Sequence, residues 1–280
     1  MENQRRVAAI VYDFDGTLAE GNIQEHTFIP KLLGIDKREF WNEVKAEAEK
    51  QDADEILVYM RQMLEVAKRR NKTVKREDLV EHGRQTPLFE GVETWFDRIN
   101  KHAEEKENLQ LEHYIISSGI YEMLEGCPIF KHFKRVFASK FIYDENGVPV
   151  WPGVSVNYTT KTQFLFRINK GIESTYDNEA INKWIPLDDR AVPFTRMIFI
   201  GDGETDIPAM KMVRHQGGHS IAVFDPKKWA SAEAQGRVHR LIAEDRVHFV
   251  APADYTANGQ LEVTVKGILG RYAKALPPSR

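Results

Sequence analysis

Cysteine is almost absent from this sequence, since Cys127 is the one cysteine among 280 residues. A single cysteine excludes an internal disulfide and suits a reducing compartment. Cys127 lies beside Pro128 with no histidine nearby in a nucleophile pattern, so we expect a structural role for it. The opening MENQRR lacks the apolar core of a signal peptide, and no apolar run approaches the roughly 20 residues of a membrane span. We therefore expect a soluble, cytoplasmic protein with no membrane partner.

An excess of charge of one sign is lacking as well. The formal net charge of −3 gives no electrostatic basis for binding nucleic acid. Basic residues concentrate locally from Lys68 to Arg76, but acidic residues flank this stretch on both sides, which favours a solvated helix end over a polyanion site. We expect no nucleic-acid partner. With 42% hydrophobic and 29% charged residues, the chain is typical of one large globular domain or of a core domain with an insertion.

The most informative stretch is an apolar run that starts at Val7 and ends abruptly in Asp13-Phe14-Asp15-Gly16-Thr17. β-Branched residues in the run predict a buried strand. Asp13 and Asp15 alternate with Phe14, so their side chains leave the strand on the same side. In a parallel α/β sheet, the carboxyl end of a strand is where ligands bind. An acidic turn without function explains this stretch alone equally well, because Asp-Gly is common in turns.

The following residues, about 19 to 86, have a different pattern. Apolar side chains recur at steps of three and four residues, which predicts helices without a convincing strand. A long helical insertion directly after the first strand is typical of a functional element. We therefore predict a cap domain at 19–87 over the end of that strand, and a core domain formed by 1–18 and 88–280. The alternative is that these helices only pad the sheet.

An α/β pattern then resumes and brings further polar groups to strand and helix ends. A short strand at His113–Ile116 is followed by Ser117-Ser118-Gly119 and a helix, and a strand at Met197–Ile200 is followed by GDGETD, which contains Asp202 and Asp206. Lys161 is at the start of another predicted helix. The helix dipole disfavours a positive charge at this end, so a lysine here indicates an anionic partner. Taken alone, a surface position explains Lys161 more simply. We also predict a hairpin before Lys161 and further strands at 220–224 and 247–250. The segment 172–194 is predicted to be irregular, and we assign no role to it.

In a parallel sheet these groups converge on one edge. Gathered carboxylates repel one another, and a hard divalent cation with all-oxygen ligation, such as Mg²⁺, relieves the repulsion. Lysine and a serine-bearing turn suit a phosphate. A carboxylate is able to act as a nucleophile towards phosphorus, and a second one is able to donate and accept the proton. The predicted fold class is α/β, a Rossmann-like parallel sheet flanked by helices with an inserted helical cap, and the predicted chemistry is phosphoryl transfer.

The motifs DFDGTL, Ser117, Lys161 and GDGETDIPAM, in this order, resemble those of the haloacid dehalogenase-like hydrolase superfamily. A helical cap between the first two motifs is similar to the phosphoserine-phosphatase-like branch. The resemblance implies Asp13 as nucleophile and Asp15 as general acid and base. It further implies that Mg²⁺ is bound by Asp13, Asp202 and the backbone carbonyl of Asp15, with Asp206 as a direct ligand or next to the ligands. The residues that it implies for phosphate binding are Ser117, Ser118, Gly119 and Lys161.

The resemblance implies a Mg²⁺-dependent phosphomonoesterase that acts on a small phosphorylated metabolite through an aspartyl-phosphate. Haloacid dehalogenation, phosphotransfer on the same fold and a catalytically silent binding protein are the alternatives. Dehalogenation requires neither a metal nor a proton donor, so Asp15 and Asp202 argue against it. Whether Ser117 or Ser118 supplies the phosphate-binding hydroxyl stays open, because Ser118 stands where relatives often carry glycine. Residues 20–26 are expected to contact the substrate, whose identity the motifs do not indicate, and they do not indicate the oligomeric state.

Overall fold

A seven-stranded sheet runs through the computed structural model, which describes residues 6–276. The strands in chain order are β1 (Val7–Tyr12), β2 (Gln110–Ile120), β3 (Arg135–Tyr143), β4 (Pro149–Val154), β5 (Met197–Gly201), β6 (His219–Phe224) and β7 (Phe249–Pro252). Their order in space is β4-β3-β2-β1-β5-β6-β7, and all neighbours are parallel except the antiparallel pair β3 and β4. The predicted α/β class with a mainly parallel sheet is confirmed.

Helices precede and follow these strands along the chain. They are α1 (Ile23–His26), a π-helix (Phe28–Leu33), α2 (Lys37–Gln51), α3 (Glu55–Arg69), α4 (Arg76–Gly83), α5 (Val92–Glu107), α6 (Tyr121–Gly126), α7 (Lys161–Lys170), α8 (Asn178–Asn182), α9 (Ile207–His215), α10 (Ala232–Ala243) and α11 (Gln260–Ala275). None of the helices within 6–276 is both long enough and apolar enough to cross a lipid bilayer.

The central strand β1 is buried along its whole length, because both faces of the sheet are covered. Ala8, Ile10 and Tyr12 pack into one hydrophobic cluster, and the alternate residues of the strand pack into a second cluster on the other face. A strand buried on both faces requires a continuous apolar run, which is what the sequence carries from Val7 to Tyr12. Asp13 extends this strand, since its N–H donates to the carbonyl of Ile200 in β5 at 2.9 Å.

The segment between β1 and α5 is helical, as the apolar spacing predicts, and no named strand forms within it. Its buried side chains, among them Phe28, Phe40 and Tyr59, join the same hydrophobic cluster as Tyr12 and Ile10. A continuous apolar interface therefore connects this helical insertion to one face of the sheet. The division into a core and a cap domain stays a prediction.

The structure differs from the sequence-based expectation at the last strand, which is β7 at Phe249–Pro252 instead of 247–250, and in two further segments. Ser117-Ser118-Gly119, predicted as a turn, lies inside β2, which shifts register against β3 between Ser117 and Ile120. Because β3 continues alongside, the chain forms a bulge there instead of leaving the sheet. The segment 172–194, predicted as irregular, contains α8 and short 3-10 turns. Arg167 holds it by donating to the carbonyls of Ser174, Thr175 and Asp177.

Two glycines let α4 of the insertion contact α6 directly through backbone atoms. A methyl group on Gly126 would lie 1.9 Å from the carbonyl oxygen of Val80, and one on Gly83 would lie 1.8 Å from that of Met123. Neither carbonyl is able to move without disturbing its helix. Close backbone packing therefore attaches the end of the insertion to the helix that follows β2.

We expect Gly126→Ala to lower the free energy of unfolding by about 1–3 kcal/mol, because a methyl group forced into a packed interface must displace backbone. Urea denaturation would measure this change. Gly267→Ala in α11 is the matched control, since a methyl group there meets no atom within 4 Å. It should raise the free energy of unfolding by up to about 1 kcal/mol through helix propensity. Equal effects of the two substitutions would contradict the proposed contact.

Candidate active site

The carboxyl ends of β1 and β5 bring Asp13 and Asp202 together. These two strands are neighbours in the sheet. Gly16 turns the chain after Asp15 with a φ of +72°, and a methyl group at this position would lie 2.4 Å from the Asp202 Oδ2 atom. Glycine is therefore required here for two reasons, the left-handed backbone and the close approach of a carboxylate. Asp13 is buried and Asp202 is partly exposed.

Asp206 approaches the same place from the 3-10 turn Glu204–Asp206, which precedes α9. A methyl group on Gly201 would lie 2.3 Å from the Asp206 Oδ2 atom, so the glycine at the end of β5 makes room for this carboxylate. Asp206 is fully buried, and its Oδ2 atom has no hydrogen-bond partner among the described residues. Oxygen atoms of Asp13, Asp202 and Asp206 lie within 4.8 Å of one another.

Lys161, the first residue of α7, bridges two of these carboxylates. Its Nζ atom donates to Asp13 Oδ1 at 2.8 Å and to Asp206 Oδ1 at 2.6 Å, and its side chain is 0% exposed. The surface position that its place at a helix terminus suggested is therefore wrong. Asp13 and Asp206 are the anionic partners that offset the unfavourable interaction of Lys161 with the helix dipole. Lys170 lies at the other end of α7, where it donates to the backbone carbonyls of Ile181 and Lys183.

A polar contact with the insertion supports the turn before Lys161. Asn157 accepts a hydrogen bond from the Thr160 N–H at 2.9 Å, and its Nδ2 donates to Asp54 Oδ2 at 2.6 Å. Asp54 is also the N-cap of α3, where its Oδ1 accepts from the Leu57 N–H at 2.9 Å. The same oxygen accepts from Ser155 Oγ at 3.2 Å. One aspartate of the insertion thus both caps α3 and binds the segment that leads to Lys161.

Asp15 occupies a separate position from the three clustered carboxylates. Its Oδ1 accepts a hydrogen bond from the Ile23 N–H at 2.8 Å, at the start of α1. A methyl group on Gly119 would lie 3.2 Å from both Asp15 Oδ2 and Ser117 Oγ, so these groups are adjacent. The Asp15 side chain is not part of the cluster of possible metal ligands found within 6–276. A metal role for Asp15 therefore depends on its backbone carbonyl, which stays a prediction.

The serines of the β2 bulge differ in their surroundings. Ser117 is fully buried, and its Oγ accepts a hydrogen bond from the Gly119 N–H at 2.9 Å. Ser118 lines the cavity described below, and its carbonyl accepts from the Tyr59 hydroxyl of α3 at 2.6 Å. Ser117 and Gly119, two of the predicted phosphate-binding residues, thus lie beside Asp15, and a tyrosine of the insertion holds the bulge in place.

Burial and mutual repulsion raise the pKa of every perturbed carboxylate in the site. Burial and then the charge of Asp206 raise the pKa of Asp13 to about 6, against the opposing charge of Lys161. Burial and then Asp13 raise the pKa of Asp15 to about 8, against the hydrogen bond from Ile23. The pKa of Asp202 is also raised, first by burial and then by Asp206 and Asp13. For Lys161, burial lowers the pKa, but the two contacting carboxylates outweigh this effect and raise it overall.

One ammonium therefore faces more carboxylates than it is able to neutralise. A divalent cation would relieve the excess negative charge, and oxygen ligands alone suit Mg²⁺. The unpartnered, buried Asp206 Oδ2 atom and the short separations among the three carboxylates fit such an ion. Asp13, Asp202 and Asp206 are the residues that could hold it.

A cavity of about 520 Å³ opens beside these groups, between the sheet edge and the insertion. Its lining includes Asp13, Asp15 and Lys161 and also residues 21, 22, 24 and 25. That residues 20–26 contact the substrate stays a prediction. Sequence reasoning missed Tyr59 and Arg237 in this lining. Tyr59 lies among the apolar residues of α3, and nothing in that stretch of sequence indicates a functional role. Arg237 lies in a helix far from every motif, so no signal in the sequence pointed to it.

Comparisons with known proteins agree with this architecture. A family model described as haloacid dehalogenase-like hydrolase matches residues 10–211. An uncharacterized protein of Borreliella burgdorferi is 28% identical over 284 aligned positions, which cover 93% of this chain and 96% of that protein.

Two solved structures show a similar fold. A HAD family hydrolase from Salmonella enterica serovar Typhi has 16% sequence identity and a TM-score of 0.57, over 95% of this chain and 72% of that one. A substrate-bound phosphoserine phosphatase has 15% identity and a TM-score of 0.54, over 88% of this chain and 93% of that one.

We expect Lys161→Met to lower the free energy of unfolding by about 3–5 kcal/mol at neutral pH in the presence of a chelator, because buried carboxylates lose their cation. The deficit should narrow as the pH falls towards 5. The pKa of Asp13 is raised in the folded protein, so the folded state binds this proton more tightly than the unfolded state does. Protonated Asp13 no longer repels the other carboxylates and therefore stabilises the fold at low pH. This stabilisation is lost as the pH rises through the folded pKa of Asp13. Denaturant unfolding at several pH values would measure both effects. Lys170→Met is the control, and its deficit should not depend on pH in this range.

Proposed function

The chain belongs to the haloacid dehalogenase-like hydrolases, and on this premise we propose that it is a Mg²⁺-dependent phosphatase that cleaves a phosphomonoester through an aspartyl-phosphate at Asp13. The observation that carries the proposal is the buried Lys161 ammonium, held by Asp13 and Asp206 at the edge of an open cavity. A dianionic phosphoryl group approaches a carboxylate only where fixed positive charge offsets the repulsion. The fold likeness to phosphoserine phosphatases supports a phosphatase over other activities of the family.

Asp13 is the proposed nucleophile. A carboxylate oxygen attacks phosphorus, the bond from phosphorus to the ester oxygen breaks, and the alcohol leaves. Lys161 holds the Asp13 side chain through Oδ1, which fixes its orientation towards the cavity. Water then attacks the phosphorus of the aspartyl-phosphate, which releases inorganic phosphate and restores the carboxylate.

Asp15 is the proposed proton donor and acceptor. It donates a proton to the leaving alcohol oxygen in the first step and accepts one from the attacking water in the second. The hydrogen bond from the Ile23 N–H holds one of its oxygens, and the other lies beside the β2 bulge where phosphate is proposed to bind. Asp15 is thus held apart from the lysine that neutralises Asp13.

The remaining site residues bind the phosphoryl group and the metal ion. Ser117 or Ser118, the Gly119 N–H and Lys161 are proposed to contact phosphate oxygens. Asp13, Asp202 and Asp206, with the backbone carbonyl of Asp15, are proposed to hold Mg²⁺. When bound, the ion would offset the charge of the transferred phosphoryl group.

The helical insertion, 19–87, is proposed to act as a cap domain on a core of 1–18 and 88–280. It covers the cavity and supplies Glu25, Trp41 and Tyr59 to its lining. A cap that closes over the substrate excludes bulk water until the phosphoryl group is seated. The proposed substrate is a small phosphorylated metabolite of the cytoplasm.

We expect Asp13→Asn to reduce the turnover of an aryl phosphate by at least about 10³-fold, because an amide is not a nucleophile towards phosphorus. Release of phosphate in the presence of Mg²⁺ would measure it, with circular dichroism to verify the fold. Asp188→Asn, at an exposed position of the 172–194 segment, is the matched control and should keep wild-type activity. Retained activity in Asp13→Asn would refute the assignment, and turnover of haloacids without Mg²⁺ would favour dehalogenation.

Mg²⁺ should raise the melting temperature of the wild-type protein by about 4–6 °C at a concentration a hundredfold above its dissociation constant, since binding to the folded state alone adds about 2.7 kcal/mol. Asp202→Asn removes one proposed ligand and should abolish most of this shift. Differential scanning calorimetry in EDTA and in Mg²⁺ would measure both proteins, with Asp188→Asn as the control. An undiminished shift in Asp202→Asn would place the ion elsewhere.

A further inference from the structure

The lining of the cavity includes two cationic side chains besides Lys161 and Lys228. Arg237 comes from α10 and Lys45 from α2 of the insertion, and both line the cavity that holds Asp13 and Lys161. Within the part of the chain that the structure describes, neither of them forms a hydrogen bond or an ion pair. Arg237 is partly buried, whereas Lys45 is exposed. These two cations of the lining therefore lack a direct partner among the described residues.

The acidic groups in the outer lining are already engaged. Glu25 accepts from Trp41 Nε1 at 2.8 Å and pairs with Lys37 at 3.3 Å. The Tyr158 hydroxyl donates to Glu55 at 3.4 Å, and Asp225 pairs with Lys228 at 3.4 Å. These carboxylates do not neutralise Arg237 or Lys45 in the described structure. An anionic group of a ligand would give these two cations a direct partner.

Arg237 lines the same cavity as Asp13 and Asp202. Its charge lowers the pKa of Asp202, although burial and the other aspartates raise that pKa overall. It also borders a second, smaller cavity of about 230 Å³ with Gly203 and Ile207. The guanidinium is thus held near the proposed phosphoryl site while its donors remain available. Partial burial of a charged group without a partner is unfavourable, and an anion in the cavity would satisfy it.

We propose that Arg237 binds a second anionic group of the substrate, so that the enzyme prefers phosphomonoesters that also carry a carboxylate or another phosphate. This inference rests on the proposed phosphatase function. A guanidinium presents a planar fork of donors that matches both carboxylate and phosphate oxygens. Lys45 adds positive charge from the insertion, so the second anion would also attract the cap towards the core.

Neutralisation of Asp202 is the competing role for Arg237. In that case, removal of the guanidinium would impair the site for every phosphate ester alike. Binding of a second anion predicts a selective loss instead. The ratio of kcat/KM for anionic and neutral substrates separates the two roles.

The test compares ω-carboxyalkyl phosphates and alkyl bisphosphates of increasing chain length with neutral n-alkyl phosphates of equal length. The wild-type enzyme should favour one or both anionic series, and Arg237→Gln should reduce that preference at least about tenfold, the usual effect of losing a hydrogen bond between charged groups. The carboxylate and bisphosphate series identify which anion is preferred. Absence of an anionic preference at every length, or a preference that survives Arg237→Gln, would overturn the inference.

Arg240→Gln is the matched control, because Arg240 lies on the same helix but outside the lining of the larger cavity. It should retain the wild-type ratio. Calorimetric binding of a carboxyalkyl phosphate to Asp13→Asn, with and without Arg237→Gln, gives a readout that is independent of turnover. Weaker binding of the carboxyalkyl phosphate on removal of Arg237, with binding of the n-alkyl phosphate of equal length unchanged, would support the inference even if no phosphate were hydrolysed. Equal weakening for both esters, or unchanged binding, would contradict it even if the phosphatase assignment held.

Discussion

The buried ammonium of Lys161 is the interaction on which the candidate site depends. It joins Asp13 at the end of β1 to Asp206 before α9, residues that are separated from it by 148 and 45 positions in the chain. Each of these groups would be strongly unfavourable in the protein interior without the others. The local fold therefore assembles as a unit, and three separate strand and helix ends must reach their positions together.

The same charge cluster explains two glycines that border it. Gly16 and Gly201 each leave space that a side chain would take from a carboxylate, Asp202 in the first case and Asp206 in the second. The glycines of the DFDGTL and GDGETD motifs thus have a packing role besides their freedom in turns. They allow the backbone to approach the acidic groups closely enough for the carboxylate oxygens to gather around one point.

Sequence reasoning predicts the sheet well, because each central strand is buried on both faces and carries a continuous apolar run. It also identifies Asp13 and Asp202, since both follow such runs directly. The burial of Lys161 could not be derived from its own neighbourhood, because the carboxylates that stabilise it are distant in the chain. The bulge at Ser117 depends on the continuation of β3 beside it, and the place of Tyr59 depends on how the insertion packs. These features arise from tertiary contacts that periodicity does not encode.

Asp54 connects the start of α3 to Ser155 and Asn157, and Asn157 in turn orders the turn that leads into Lys161. Docking of the insertion and the position of the lysine therefore share a set of hydrogen bonds. By thermodynamic linkage, whatever favours one of these states favours the other to the same extent. A phosphate group that binds Lys161 in its observed position would strengthen the attachment of α3. Withdrawal of α3 would release Asn157 from Asp54 and loosen the approach to the lysine.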